Sequence, residues 1–90
     1  MIKISWNHVK SNRLKRTRGV SFDEIIAAEL VEVLNHPKRP DQKVMLFKYR
    51  GYIWVVPFVQ NEKEIFLKTL YPSRKYTKIY SKRRDYNESY

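Results

Sequence analysis

The chain has 90 residues, no cysteine, 42% apolar side chains and a formal net charge of +10 at pH 7. This length favours a single domain over residues 1–90, and the absence of cysteine excludes a disulfide framework and a thiolate metal site. No apolar run approaches the roughly 20 residues that a membrane-spanning helix needs, and the N-terminus has no signal-peptide core. We therefore expect a cytoplasmic protein without a membrane partner.

The chain is predicted to open with a strand and a helix. Residues 2–6 alternate apolar and polar side chains, which is typical of a short strand with one buried face. Asn7 can cap a first helix that runs to about Thr17. Gly19 is well placed to end this helix, because a left-handed residue is needed there and glycine has no Cβ to clash.

A second helix is predicted from a capping motif. Ser21 and Glu24 have the spacing of a capping box, in which each side chain binds the backbone amide of the other residue. The helix is predicted to end near Glu32. Val31 and Val33 leave two alternatives open, since they can extend the helix or begin a strand.

Three strands in an antiparallel meander follow a proline-containing loop. They cover residues 44–49, 52–59 and 65–71, and Arg50–Gly51 makes the first hairpin turn. Pro57 cannot donate a hydrogen bond to its neighbours, so the second strand is expected to lie at an edge or to be bulged there.

The last predicted element is a third helix. Ser73 can cap it, Arg74 begins it, and a polar tail follows from Arg84. The order of elements predicts an α+β domain, in which two N-terminal helices and a C-terminal helix pack against one face of an antiparallel sheet.

Positive charge is concentrated in two segments. Residues 10–18 contain five bases and no acid, and residues 74–84 contain six bases and no acid. Such an excess favours a nucleic-acid partner, although a basic domain without a polyanionic ligand is an alternative. We expect the two segments to meet over the sheet and to form a cradle for a polyanionic strand.

The composition favours cleavage of RNA without a metal ion. The chain has nine acids, of which four lie within residues 23–32, so neither a metal site nor another cofactor is expected. RNA carries its own nucleophile, the 2′-hydroxyl. The protein must accept its proton, protonate the leaving 5′-oxygen and stabilise the charge on the phosphate, and Lys, Arg and Tyr can do so.

The candidate site residues belong to the two basic segments and to the last strand. Lys68 is held on a strand, Arg74 lies where this strand meets the third helix, and Lys78 follows one turn later. Tyr80 completes the candidate catalytic set, although Tyr76 and Tyr80 also have the spacing of a buried helical face. The candidate RNA-binding residues are Lys10, Arg13, Arg18 and Lys75.

A non-catalytic nucleic-acid-binding module is the alternative to a ribonuclease. The same bases would bind phosphates, and exposed aromatic rings would stack on unpaired bases. The candidate stacking residues are Trp6, Tyr52, Trp54 and Tyr71.

Several segments resemble one known family. They are residues 6–10 (Trp-Asn-x-x-Lys), residues 18–24 (Arg-Gly-Val-Ser-Phe-Asp-Glu) and residues 72–77 (Pro-Ser-Arg-Lys-x-Thr). In this order they resemble the BrnT family, which comprises small toxins of type II toxin–antitoxin systems with a RelE-like ribonuclease fold. The resemblance extends over nearly the whole chain, and residues 18–24 are its most specific part.

The resemblance implies an mRNA-cleaving toxin that needs no metal and inhibits translation. It further implies a cognate DNA-binding antitoxin, of the ribbon-helix-helix type, that forms a hetero-oligomer with the toxin. The toxin would contact DNA only through that complex.

The resemblance also assigns positions. Arg74 and Lys75 match the first and second C-terminal arginines of the family. Three positions depart from the pattern: Arg18 replaces a frequent His, Leu14 replaces an Asn and Tyr80 replaces an acidic residue. The identities of the general acid and base therefore stay open.

Overall fold

The computed structural model describes residues 2–80, which contain helices and strands in alternating groups. Their order is β1 (Lys3–Trp6), α1 (His8–Arg18), α2 (Phe22–Ile26), β2 (Glu29–Asn35), β3 (Lys43–Tyr49), β4 (Tyr52–Gln60), β5 (Glu64–Leu67), β6 (Tyr71–Pro72) and α3 (residues 74–80). The predicted polar tail from Arg84, and the bases Lys82, Arg83 and Arg84, lie outside the described residues.

The ends of α1 are fixed by the two residues that the sequence indicated. The Asn7 side chain accepts a hydrogen bond from the Lys10 amide at 3.0 Å. Gly19 ends the helix in the left-handed region, at φ 81°, and its amide donates to the Lys15 carbonyl. Both cap predictions are confirmed, and the helix extends one residue beyond Thr17.

The start of α2 was predicted correctly, but its end was not. The Ser21 hydroxyl accepts from the Glu24 amide, and the Glu24 carboxylate accepts from the Ser21 amide, so the capping box is present. The helix ends at Ile26, and Glu29–Asn35 form β2 instead. β-branched side chains fit a pleated strand well, and pairing with β3 satisfies the backbone groups of this segment.

The sheet is mixed, so the prediction of a purely antiparallel sheet is wrong. Its strand order is β1-β5-β4-β3-β2, with β6 pairing to β4 beyond the end of β5. β1 lies parallel to β5, whereas the other neighbouring strands are antiparallel. The predicted hairpin at Arg50–Gly51 is confirmed, with φ values of 54° and 76° that correspond to a type I′ turn.

A bulge separates β5 from β6. Phe58 pairs with Leu67 and Val55 pairs with Tyr71, so the β5–β6 segment contains one more residue than β4 between these pairs. Pro57 lies beside the bulge, and its carbonyl accepts from the Lys68 amide at 2.8 Å. Since proline has no N–H to return this bond, the ladder is interrupted there.

Both faces of the sheet are covered by helices. Val44, Leu46, Ile53 and Val55 form a buried cluster on the back face, against which Tyr76 and Tyr80 of α3 pack. Alternate residues of the same strands form the larger core on the front face, with α1 and α2. The front core contains Leu14, Val20, Phe22, Ile25, Phe47, Trp54, Val56, Phe58, Leu67 and Leu70.

The α+β class is therefore confirmed, whereas the placement of all three helices on one face is wrong. Side chains of a strand point alternately to opposite faces, and β3 and β4 are apolar on both. A second layer must consequently cover the back face, and α3 provides it.

Candidate nucleic-acid interface

The segment 68–72 lies at an open edge of the sheet. β1 pairs with β5 only as far as Leu67, and within the described residues no strand pairs with the outer side of 68–72. The Leu70 carbonyl accepts a hydrogen bond from Nη1 of Arg18 at 3.1 Å. A basic side chain from α1 thus occupies the edge where a neighbouring strand would otherwise bind.

Four basic side chains come together at this edge, and we call Lys10, Arg13, Arg18 and Lys68 the edge cluster. Burial is the main reason that the pKa of Lys10 lies below its ordinary value of 10.5. The positive charges of Arg13, Lys68 and Arg18 lower it further. α1 and the end of β5 thus bring together one candidate catalytic residue and three candidate RNA-binding residues.

The backbone of the edge cluster is held by α1 and by the bulge that follows β5, so the prediction that Lys68 lies on a strand is wrong. Lys10, Leu14 and Arg18 are four residues apart on α1, and buried Leu14 anchors this side of the helix in the front core. The Lys68 amide is bonded to Pro57, and Nζ of Lys68 lies 5.8 Å from the centre of the Phe66 ring. The charges are therefore presented from fixed positions.

The start of α3 is fastened next to the same edge. The Ser73 amide donates to the Ile53 carbonyl at 2.9 Å, and the Thr77 hydroxyl accepts from the Ile53 amide at 2.8 Å. The Ser73 hydroxyl accepts from the Tyr76 amide, which confirms the predicted cap. Arg74 and Lys75 follow directly and are exposed, so the second basic segment begins beside β6.

Tyr80 lies far from the edge cluster. Its hydroxyl is 3.4 Å from a carboxylate oxygen of Glu32 on β2. β2 is three strands from β5, a separation of about 14 Å at ordinary strand spacing. α3 therefore leads away from the edge beneath the sheet, carrying exposed Lys78 one turn beyond Arg74.

Within residues 2–80, the two basic segments do not meet over one face of the sheet, contrary to the prediction. α1 packs on the front face and α3 on the back face, because each covers a different apolar cluster. Near β6, Arg18 of α1 binds the Leu70 carbonyl, and Ser73 at the start of α3 binds the Ile53 carbonyl.

Tyr71 lies between the two basic segments. Burial raises the pKa of its hydroxyl, the neighbouring Tyr76 raises it further, and the positive charge of Arg18 acts in the opposite direction. Tyr71 is 37% exposed. Of the other three candidate stacking residues, Trp54 is buried, and Trp6 and Tyr52 are half-buried.

Within residues 2–80, no three His, Cys, Asp or Glu side chains gather in a way that could hold a metal ion. In the same part of the chain, no helix is both long and apolar enough to cross a bilayer.

Within the described residues, most bases of α1 form no ion pair with an acidic side chain. Of its five bases, Lys15 alone forms an ion pair within the described residues, at 2.9 Å from Glu24. The remaining bases of the helix are Lys10, Arg13, Arg16 and Arg18.

The sequence did not indicate the Leu70 carbonyl as the anchor of Arg18. This contact depends on the bulge, which places Leu70 in the front core together with Leu67. Pro57 was the sequence signal for this bulge, because a proline in a central strand interrupts the hydrogen bonding to its neighbour.

Comparison with solved structures finds a similar fold. The chain resembles the crystal structure of the ribonuclease toxin BrnT from Brucella abortus, with a TM-score of 0.55 over 81% of this chain and 97% of that one. The sequence identity is 16%, so the likeness concerns the fold. No model of a protein family and no curated protein matches the chain. The predicted BrnT-like fold is thus confirmed.

Proposed function

We propose that this chain is a metal-independent endoribonuclease toxin that cleaves mRNA and so inhibits translation. The observation that carries the proposal is the edge cluster, where four basic side chains converge beside an exposed tyrosine. The fold shared with a ribonuclease toxin supports the same class of activity. The strong positive charge supports a polyanionic substrate.

In this proposal, arginines of the edge cluster bind the phosphate that is cleaved. A guanidinium group has five N–H donors in a planar fork that matches phosphate oxygens. One donor of Arg18 binds the Leu70 carbonyl, which fixes the orientation of the group and lets other donors face the substrate. Arg13 adds a second positive charge, and both charges stabilise the phosphorane-like transition state.

Lys10 and Lys68 transfer the protons. The 2′-hydroxyl attacks phosphorus, the O2′–P bond forms and the P–O5′ bond breaks, which leaves a 2′,3′-cyclic phosphate and a 5′-hydroxyl. We assign the 2′ proton to Lys10, because burial and the neighbouring positive charges lower the pKa of this lysine. The ammonium group of Lys68 protonates the leaving 5′-oxygen.

The bases of α3 extend the RNA-binding surface. Arg74 and Lys75 lie just after β6, so they would bind phosphates adjacent to the one that is cleaved. Lys78, one turn later in α3, would bind a more distant phosphate. Tyr80 is left out of the reaction centre, because it is bound near β2 on the far side of the sheet.

A cleavage assay in EDTA tests the proposal. We expect labelled RNA to be cut with cyclic phosphate ends, and Lys10→Met or Lys68→Met to reduce kcat/KM by roughly 100- to 10,000-fold. Lys63→Met is the matched control, since Lys63 is an exposed lysine in the β4–β5 turn. RNA that stays intact with the wild-type protein at every ionic strength would exclude the nuclease.

A non-catalytic RNA-binding module is the second candidate. One observation favours it: the residues of the edge cluster are all bases, and the predicted catalytic tyrosine lies elsewhere. A denaturing gel after incubation with RNA separates the two functions, because the binding module shifts RNA in native gels but leaves its length unchanged.

An acidic antitoxin is the proposed partner. Four bases of α1 have no acidic partner in an ion pair within the described chain, so an acidic segment could neutralise α1 and the edge near Lys68. We propose a DNA-binding antitoxin of the ribbon-helix-helix type, active with the toxin in the cytoplasm. Co-expression of the adjacent reading frame should relieve growth arrest and yield a complex; failure of both would exclude it.

A further inference from the structure

Tyr71 differs from the other aromatic residues in its exposure. It is 37% exposed, which is more than any other Phe, Trp or Tyr in residues 2–80. The ring is therefore partly open to solvent and within reach of a ligand.

The backbone holds Tyr71 at the edge cluster. Leu70, the residue before it, accepts the Arg18 hydrogen bond. Val55, its partner across the ladder, belongs to the back cluster against which Tyr76 packs. Tyr71 is therefore fixed between the guanidinium group of α1 and the first turn of α3.

This arrangement joins a phosphate-binding group to a stacking surface. Proteins that bind single-stranded nucleic acid place aromatic rings beside basic side chains, so that the backbone binds the charges and a base stacks on the ring. The bases of a duplex are already stacked and paired, so its bases are not available to an exposed ring.

Cleavage through the 2′-hydroxyl adds a second reason. The attacking oxygen, the phosphorus and the leaving oxygen must lie in line, which a nucleotide within a regular A-form helix does not achieve. A base that leaves the stack frees the nucleotide to adopt this geometry, and an aromatic ring replaces the lost stacking.

We infer that Tyr71 is the base-stacking subsite of the interface and that the substrate is therefore single-stranded RNA, with an unpaired base beside the bound phosphate. The inference rests on the proposed RNA-binding function of the edge cluster. It assigns no chemical step to the tyrosine hydroxyl.

Equilibrium binding to uncleavable probes tests the inference. Three fluorescein-labelled 2′-O-methyl oligonucleotides are used: a mixed-sequence single strand, the same strand annealed to its complement, and an abasic strand of equal length. Because 2′-O-methyl groups remove the nucleophile, the measurement does not require nuclease activity. A protein that binds but does not cut RNA would therefore fail the proposed function and still test this inference.

We expect the wild-type protein to prefer the single strand over both other probes. Tyr71→Leu should weaken binding of the single strand by roughly 5- to 150-fold, the range for one lost stacking contact, and leave binding of the abasic strand unchanged. Tyr71→Phe, which keeps the ring, should bind as the wild type does. Circular dichroism confirms that both variants are folded.

Three results would overturn the inference. One is a Tyr71→Leu variant with unchanged affinity for the single strand, and another is an equal loss for the abasic strand. The third is a Tyr71→Phe variant that loses as much affinity as Tyr71→Leu, because the hydroxyl rather than the ring would then carry the contact.

Discussion

The surroundings of Lys10 lower the pKa of its side chain. An isolated lysine stays protonated at neutral pH and cannot accept a proton. In the edge cluster, burial and three positive neighbours destabilise the ammonium form and lower the pKa of Lys10. This environment is the reason that we propose Lys10 as the general base.

Removing one neighbouring charge should move the pH dependence of cleavage. Arg13 lowers the pKa of Lys10, so Arg13→Gln raises it, and the neutral amine then forms only at higher pH. We expect the rising limb of kcat/KM against pH to shift to higher pH in this variant. Arg16→Gln is the control, since Arg16 is an exposed base of the same helix that is not among the charges acting on Lys10.

The position of the limb is what this experiment measures. Loss of a phosphate contact alone would lower the rate at every pH without moving the limb. An unmoved limb in Arg13→Gln, or an equal shift in Arg16→Gln, would contradict the role of Lys10 as base.

A buried hydroxyl joins the first two helices. Ser11 is 3% exposed, and its oxygen accepts a hydrogen bond from the Phe22 amide at 3.0 Å. Ser11→Ala leaves this buried amide without an acceptor, which costs about 1–3 kcal/mol in the free energy of unfolding. Urea unfolding measures the loss. Asn12→Ala, at an exposed position of α1, should change stability by less than about 0.5 kcal/mol.

At the level of elements, α2 is a short helix with Phe22 and Ile25 buried in the front core and with a capped first turn. It has five residues, and Glu24 binds the Ser21 amide as well as the Lys15 ammonium group. The hydrogen bond from Lys15 is the largest reason that the pKa of Glu24 falls from 4.5 to about 2. The capping box thus depends on an ionised carboxylate.

Acid should destabilise α2 as the pH falls from 4.5 to about 2. A folded-state pKa below the unfolded value means that Glu24 contributes its full stability above pH 4.5 and loses it as the pH falls through about 2. We expect Glu24→Gln to lower the midpoint of thermal unfolding near neutral pH. Between pH 4.5 and about pH 2, this midpoint should decrease less in the variant than in the wild type. Glu62→Gln, in the exposed β4–β5 turn, is the comparison variant. A parallel decline in wild type and Glu24→Gln would argue against the mechanism.

Local patterns predicted the element starts better than their ends. Asn7, Ser21 and Ser73 cap helices as expected, because a cap depends on residues within one turn. The end of α2 and the β5–β6 bulge depend on pairing with distant strands. Leu30 illustrates the difficulty: its spacing suits the buried side of a helix, yet it is exposed on β2.

At the scale of the molecule, the sequence indicated which bases to consider for the candidate site but not how they are arranged. The edge cluster joins α1 to the end of β5, more than fifty residues later, through the parallel pairing of β1 with β5. No local pattern encodes such a pairing. The two-sided burial of β3 and β4 was the available signal that α1 and α3 occupy opposite faces.

The salt dependence of RNA binding tests whether the edge cluster acts as one surface. Each phosphate neutralised on a single strand contributes about −0.7 to the slope of log K against log salt, so the four bases of the edge cluster contribute about −3 to this slope. Lys68→Met should make the slope shallower by about 0.7, whereas Lys63→Met, which removes the same charge from the β4–β5 turn, should leave it unchanged. Fluorescence anisotropy with an uncleavable oligonucleotide over a range of KCl concentrations provides the slopes. Equal changes in the two variants would mean that the net charge of the whole chain, rather than the edge cluster, binds RNA, since only a localised site distinguishes two lysines of equal charge.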